Sequence, residues 1–299
     1  AGIAIIHSIF NISVTIVRFR FLDKRVKLAG FTIRDKEDDA EQERANDLAR
    51  LDERFLTQPA VAVDQGQAVL LSMAAKSMSA FRIAVGLLDG FSEEKAEQVD
   101  KLENEVDHYQ DALGAYLVKA SERELLEHDS ERVSVYLQNI GDLERISDRA
   151  SNIVHSFREM NRKKIAFSDD GVQDLKVLTS AVTEVSDLTL QALQKEDPAI
   201  AENVEPLEEV VDRLTHQVRK RHIARLRDGS CTVELGNILA DLSTNMERVS
   251  DHCSNLASSL LLVDKGGYDT HEYLTEYRRK DNEHFRVKYE QMADKYQLP

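Results

Sequence analysis

The sequence predicts an all-α protein built as two tandem three-helix bundles, preceded by the remnant of a transmembrane helix and followed by a helical tail. Three observations lead there. Apolar residues recur at spacings of three and four over long stretches, and alternating β-branched runs are scarce. Only 4 prolines interrupt 299 residues, leaving room for long elements. One phrase is written twice: "DLERISDRASNIV" from Asp142 and "NMERVSDHCSNLA" from Asn245.

Residues 1–33 open with "AGIAIIHSIFNISVTIV", which carries no charge, and continue with Arg18, Arg20, Lys24, Arg25 and Lys27. A secretory signal places its positive charges ahead of the apolar run. Charges that follow it mark the cytoplasmic side, so the segment is expected at a membrane with everything after about residue 34 in the cytoplasm. A buried core helix is the alternative, since the run is short of the ~20 residues that span a bilayer. Residues 34–60 are dominated by "DKEDDAEQERANDLARLDER", which has no apolar seam and is read as a solvated connector with transient helicity.

Residues 61–164 form the first repeat. After Pro59, Val69, Met73, Ala80, Ile83 and Leu87 keep one helical face, and Gly90 and Ser92 mark a stop and an N-cap. A second helix is expected from about Glu93 to Ala120 and a third from roughly Ser130 to Asn161. The third carries the seam Tyr136, Leu143, Ile146, Ala150, Ile153 and Phe157. Residues 165–264 repeat the plan: Leu239, Met246, Val249, Cys253, Leu256 and Leu260 keep the same phase, and "VEPLEEVVD" from Val204 answers "VDKLENEVD" from Val99. Residues 265–299 start after a Gly pair and read as a charged, amphipathic helical tail.

Composition excludes several classes of function. The net charge is −15 although the first 34 residues are basic, so the body is strongly acidic and repels nucleic-acid phosphate. The basic cluster "RKRHIARLR" from Arg219 is read as the solvated end of one helix. Cys231 and Cys253 are too few for a disulfide framework and suit a reducing compartment. There is no nucleophile elbow, Walker loop, dinucleotide fingerprint or HExxH motif, and only Glu105 and His108 have Glu-x-x-His spacing, so an enzyme is not expected.

The chemistry lies in the repeated phrase. Glu144, Ser147, Asp148 and Ser151 share a helix face, as do Glu247, Ser250, Asp251 and Ser254. Two carboxylates one turn apart repel, and small serines beside them leave room for a cation with its water. Arg145 and Arg248 point about 100° away and are awkward partners. The preceding helix of each repeat adds a second stripe: Asp100, Glu103 and Asp107, then Glu205, Glu208 and Asp212. Antiparallel packing would bring four or more carboxylates together in each repeat, an oxygen-rich setting for Mg²⁺, Mn²⁺, Ca²⁺ or iron. The competing explanation is two ordinary solvated faces copied by duplication. His252, beside Asp251, is read as a surface residue.

These residues carry a resemblance. "ERISDRASNI" and "ERVSDHCSNL" resemble the paired signatures of the PhoU family, and "VDKLENEVD" and "VEPLEEVVD" resemble its preceding-helix phrase. The resemblance implies two three-helix units that bind metal ions, often in multinuclear iron or zinc clusters. It makes Glu144, Asp148, Glu247 and Asp251 the first-choice ligands, with Asp100 and Glu205 next and Glu103 and Glu208 beside them. Ser147 and Ser250 stand where the family commonly has Gly. The flanks "IIHSIFNI", "LDERFLTQPAVAVDQ", "YDTHEYL" and "KYQLP" resemble bacterial sodium-dependent phosphate cotransporters that end in a PhoU-like domain. That resemblance implies an inner-membrane protein whose cytoplasmic domain controls phosphate uptake. Its expected partners are the transport core, a signalling protein and, for a homo-oligomer, another copy of the chain. A metal-free helical scaffold and a carboxylate-bridged metalloenzyme are the alternatives.

Overall fold

The structure, a computed structural model, describes residues 36–265, 277–278 and 282–299. The proposed membrane remnant at 1–33 and part of the tail lie outside the described residues. The chain divides into two units at Ala49 and Arg50. In the first, α1 (Lys36–Leu48) is a helix where a solvated connector was expected; none of residues 41–49 is buried, consistent with its lack of an apolar seam.

The second unit is all-helical among the described residues. A 3₁₀ turn at Glu53–Thr57 leads into α2 (Pro59–Val85), extended by a 3₁₀ turn at Gly86–Asp89. Pro59 sits in the first turn, where its missing N–H costs nothing. Next come α3 (Glu93–Ser121) and α4 (Glu127–Lys163). Ser92 is the N-cap of α3, its hydroxyl accepting from the Lys95 N–H. Helix α4 ends with Lys164 in the left-handed conformation, φ 54°, its N–H turned back onto the carbonyls of Met160 and Asn161. Then follow α5 (Asp169–Lys195), the single turn α6 (Pro198–Ala201), α7 (Val204–Arg227), α8 (Val233–Lys265) and, in the tail, α9 (Glu283–Lys295).

Helices α2, α3 and α4 pack on one another, and α5, α7 and α8 do the same. The two triads meet along α4 and α8, with α2 against α5, and α9 lies on α7. The seam residues explain the arrangement. Leu143, Ile146, Ala150 and Ile153 of α4 are fully buried, as are Met246, Val249, Cys253 and Leu256 of α8. Gly66 lets α2 and α3 close up: a Cβ there would lie 2.8 Å from Leu117 Cδ2. Helix α2 with its 3₁₀ extension is long and apolar enough to cross a membrane, but Val69, Met73, Ala74, Ala80 and Phe81 are fully buried inside the bundle. Its apolarity therefore serves the core.

Polar groups also bind the triads together. His252 Nδ1 lies 2.9 Å from Asp142 Oδ1, with both side chains buried. This corrects the surface assignment for His252: the residue after Asp251 turns toward α4, away from the acidic stripe. Ser259 donates to Asn139 Oδ1 at 2.9 Å on the same interface. The basic end of α7 is likewise structural. Arg221 and Arg225 donate to Asp174, which is 0% exposed, at 2.9 and 2.7 Å.

Candidate metal centre

Two acidic clefts form where the second and third long helices of each triad face each other. The i, i+3, i+7 spacing of α3 sets Asp100, Glu103 and Asp107 opposite the Glu144 and Asp148 stripe of α4. Burial first, then the charges of Asp107, Asp148, Asp100 and Glu144, raises the Glu103 carboxyl above its usual range. Glu144 is raised by burial and then by Asp148 and Asp107, and Asp107 by burial and then by Asp148. These mutual effects place the four acids within one electrostatic neighbourhood. Asp100 is drawn aside: Arg158 Nη2 holds it at 2.7 Å.

The second cleft, between α7 and α8, is tighter. Glu205 and Glu208 are 4% and 2% exposed. Carboxylate oxygens of Glu205, Glu208 and Glu209 lie within 4.8 Å of one another, as do those of Glu208, Asp212 and Asp251. Glu208 belongs to both groups. Among the described residues only this half gathers three acids so closely. Burial, then Glu205, drives the Glu208 carboxyl well above the usual range against the pull of Arg278. Burial and the charges of Glu247, Asp251 and Glu209 push Asp212 up to about 6. Ser254 of the predicted stripe donates to Glu205, which fixes the face of α8 turned toward α7.

Each predicted ligand can now be placed. Glu205, Glu208 and Asp251 converge; Glu247 stands at the edge, where Arg219 Nη2 reaches it at 3.1 Å. Glu103, Glu144 and Asp148 line the first cleft, while Asp100 is engaged elsewhere. Arg219 also holds Ser243 and Thr244 on α8, so the basic cluster is not merely solvated, and Arg248, expected to be an awkward partner, reaches Asp251 at 3.2 Å. Sequence reasoning left Glu209 and Arg278 out. Glu209 sits one position off the stripe, and Arg278 comes from the tail with no spacing to announce it.

The residues fit a hard cation. The donors are all oxygens, and the buried Asp212 Oδ1 has no hydrogen-bond partner among the described residues; nor have Ser147 Oγ and Ser250 Oγ, buried on the two stripes. Cys253 does not contribute: it faces the core, and burial pushes its thiol up to about 12.

Known proteins share this fold. The PhoU domain model matches residues 70–157 and 175–260, which fall within the two triads. The phosphate-specific transport system accessory protein PhoU homolog 1 of Thermotoga maritima is 25% identical over 173 residues, 58% of this chain and 71% of that protein. The PhoU homolog of Deinococcus radiodurans is 24% identical over 161 residues, 54% and 74% of the two chains. The crystal structure of PhoU from Pseudomonas aeruginosa superposes with a TM-score of 0.66 at 19% identity, covering 70% of this chain and 100% of that one. PhoU from Streptococcus pneumoniae gives 0.61 at 17%, covering 71% and 100%. The solved structures establish the fold, and the family match covers both acidic stripes; by that match the chain belongs to the PhoU domain family.

Proposed function

We propose that the chain is a metal-binding regulatory domain of phosphate transport, acting by docking on a partner and carrying no catalytic step of its own. The observation that carries this is the convergence of Glu205, Glu208, Glu209, Asp212 and Asp251 in one cleft, where burial and the neighbouring acids raise the carboxyls of Glu208 and Asp212. Such a site is costly when empty of positive charge and is relieved by a cation. Glu205, Glu208, Asp212 and Asp251 would hold metal in the second half, with Glu208 common to both acidic groups; Glu103, Asp107, Glu144 and Asp148 would hold it in the first. The bound ions would neutralise both clefts and stiffen the faces between α3 and α4 and between α7 and α8. The oxygen donors suit Mg²⁺, Mn²⁺, Ca²⁺ or iron.

The role follows that of relatives described as phosphate-specific transport accessory proteins. The finer assignment is to a sodium-dependent phosphate cotransporter of the inner membrane, the domain lying in the cytoplasm and touching the transport core, a signalling protein or a second copy of itself. It is supported by the flanking phrases "IIHSIFNI" and "KYQLP". The test is Mn²⁺ content after chelation and reloading, measured on the chain and on its Asp148→Asn, Asp251→Asn double variant. Asn keeps the shape of Asp and loses the charge, so helicity should be unchanged and bound Mn²⁺ should fall. Equal metal in both proteins would defeat the ligand assignment.

A further inference from the structure

The two clefts differ in one respect that the duplication does not explain. The second already contains a cation, the guanidinium of Arg278. Its Nε reaches Glu205 Oε1, Nη2 lies 3.0 Å from Glu208 Oε2 and Nη1 lies 2.9 Å from Glu209 Oε1. All three nitrogens are used, one on each carboxylate, and these three acids are one of the two groups among the described residues that could hold a metal ion. The first cleft has no such occupant. None of Glu103, Asp107, Glu144 and Asp148 forms an ion pair with Lys or Arg among the described residues; Arg158, the nearest analogue, is spent on Asp100 and Glu93.

A hard cation coordinates carboxylate oxygens at roughly 2.0–2.6 Å and so needs the lone pairs that now face Arg278. Guanidinium and metal would also repel at such close range. Both oxygens of Glu205 are already engaged, Oε1 by Arg278 and Oε2 by Ser254, so a cation ligated by Glu205 competes with the guanidinium. Chain on both sides of Arg278 is held independently. Tyr277 donates to the Glu202 carbonyl at 3.0 Å, and Asn282 donates to the Tyr277 carbonyl at 3.0 Å. Helix α9 is fixed to α7 by Arg213 on the carbonyls of Ala293 and Tyr296, and to α5 by Lys295 on Glu184. Removal of Arg278 from the cleft thus takes away the ionic tie of the tail to Glu205, Glu208 and Glu209 and leaves the contacts of Tyr277 and α9 in place.

We propose that Arg278 is a built-in counter-cation of the second cleft, so that a divalent ion ligated there by Glu205 displaces it and loosens the hold on the tail at Tyr277 and Arg278, while the first cleft loads without competition. The proposal rests on the metal-binding reading above and adds to it a coupling between metal and tail.

The experiment uses the full chain and Mn²⁺. Equilibrium dialysis of the wild type should show two classes of site, the weaker belonging to the second cleft. Arg278→Gln should tighten the weaker class by roughly tenfold to a hundredfold, the equivalent of one charge-assisted hydrogen bond that no longer has to be broken. It should leave the tighter class unchanged. Arg278→Lys, which keeps the charge but not the fork, should fall between the two and guards against misfolding of the Gln variant. Amide exchange of the peptide holding Tyr277 and Arg278 in the wild type needs no variant; it should be slow without Mn²⁺ and speed up as the weaker class fills. Equal affinities in wild type and Arg278→Gln, or unchanged exchange at saturation, would overturn the coupling and leave the metal reading intact. No Mn²⁺ bound by any of the three proteins would overturn both.

Discussion

Replacing Glu208 by Gln isolates the cost of the acidic cleft. The amide keeps the shape of the carboxyl and can still accept from Arg278, so what is lost is the titratable charge. Glu208 is 2% exposed, and burial and Glu205 raise its folded pKa above the 4.5 of a free Glu. The sign follows from linkage: with the folded value raised, the stabilising contribution is complete below 4.5 and is lost as pH climbs toward the folded value. Between pH 4.5 and 7 the loss has a ceiling of about 3 kcal/mol, at 1.36 kcal/mol per unit. The ion pair with Arg278 offsets part of it, leaving about 1–3 kcal/mol. Glu208→Gln does not titrate, so in chelator it should melt with the wild type near pH 4 and above it at pH 7, by roughly 2–10 °C for a unit of this size. Calorimetry across pH 4–8 in chelator measures the gap. A variant that melts below the wild type by the same amount throughout would show that the Arg278 pair outweighs the burial of charge, and the cleft would then be a salt-bridged structural site.

Other substitutions test the surrounding structure. Asp174→Ala leaves Arg225 without its buried partner and should cost about 3–5 kcal/mol in urea unfolding. Gly66→Ala gains up to ~1 kcal/mol of helix propensity but drives a methyl against the fully buried Leu117; the net should be a loss of about 1 kcal/mol, recovered when Leu117 is also shortened to Val. A chain beginning at Arg50 should stay monomeric by light scattering and keep its metal, whereas the full chain should self-associate through residues 1–33. Starting at Pro59 instead would strip Leu51 and Leu56 from Ala62, Tyr116 and Ala120 and should lower the melting temperature.

Most of the fold could be read from the sequence because burial is periodic along single helices. Each seam residue named on α4 is buried, and Ser92 caps α3 through the hydroxyl its position suggested. Departures occur where one helix meets a partner distant in sequence. Ile83 and Leu260 lie on the predicted faces yet are only half-buried. His252 is the inverse case: polar and off the stripe, it is buried because Asp142, 110 residues earlier, is there to receive it. No periodicity within α8 contains that information.

The same distinction governs the site. The acidic stripes could be read because i, i+3, i+4 and i+7 are local relations, and the duplication wrote them twice. Duplication also suggests two equivalent clefts, and in the structure they are not equivalent. Glu205 and Glu208 are buried while Asp107 is exposed, and three acids of the second cleft are gathered by a guanidinium that lies 66 residues beyond Asp212. The tail that supplies it follows the repeats once and has no copy after the first, so a repeat-based comparison has nothing to align it with. On the proposal above, a single arginine outside the repeated region would give two similar carboxylate stripes different affinities for the same cation.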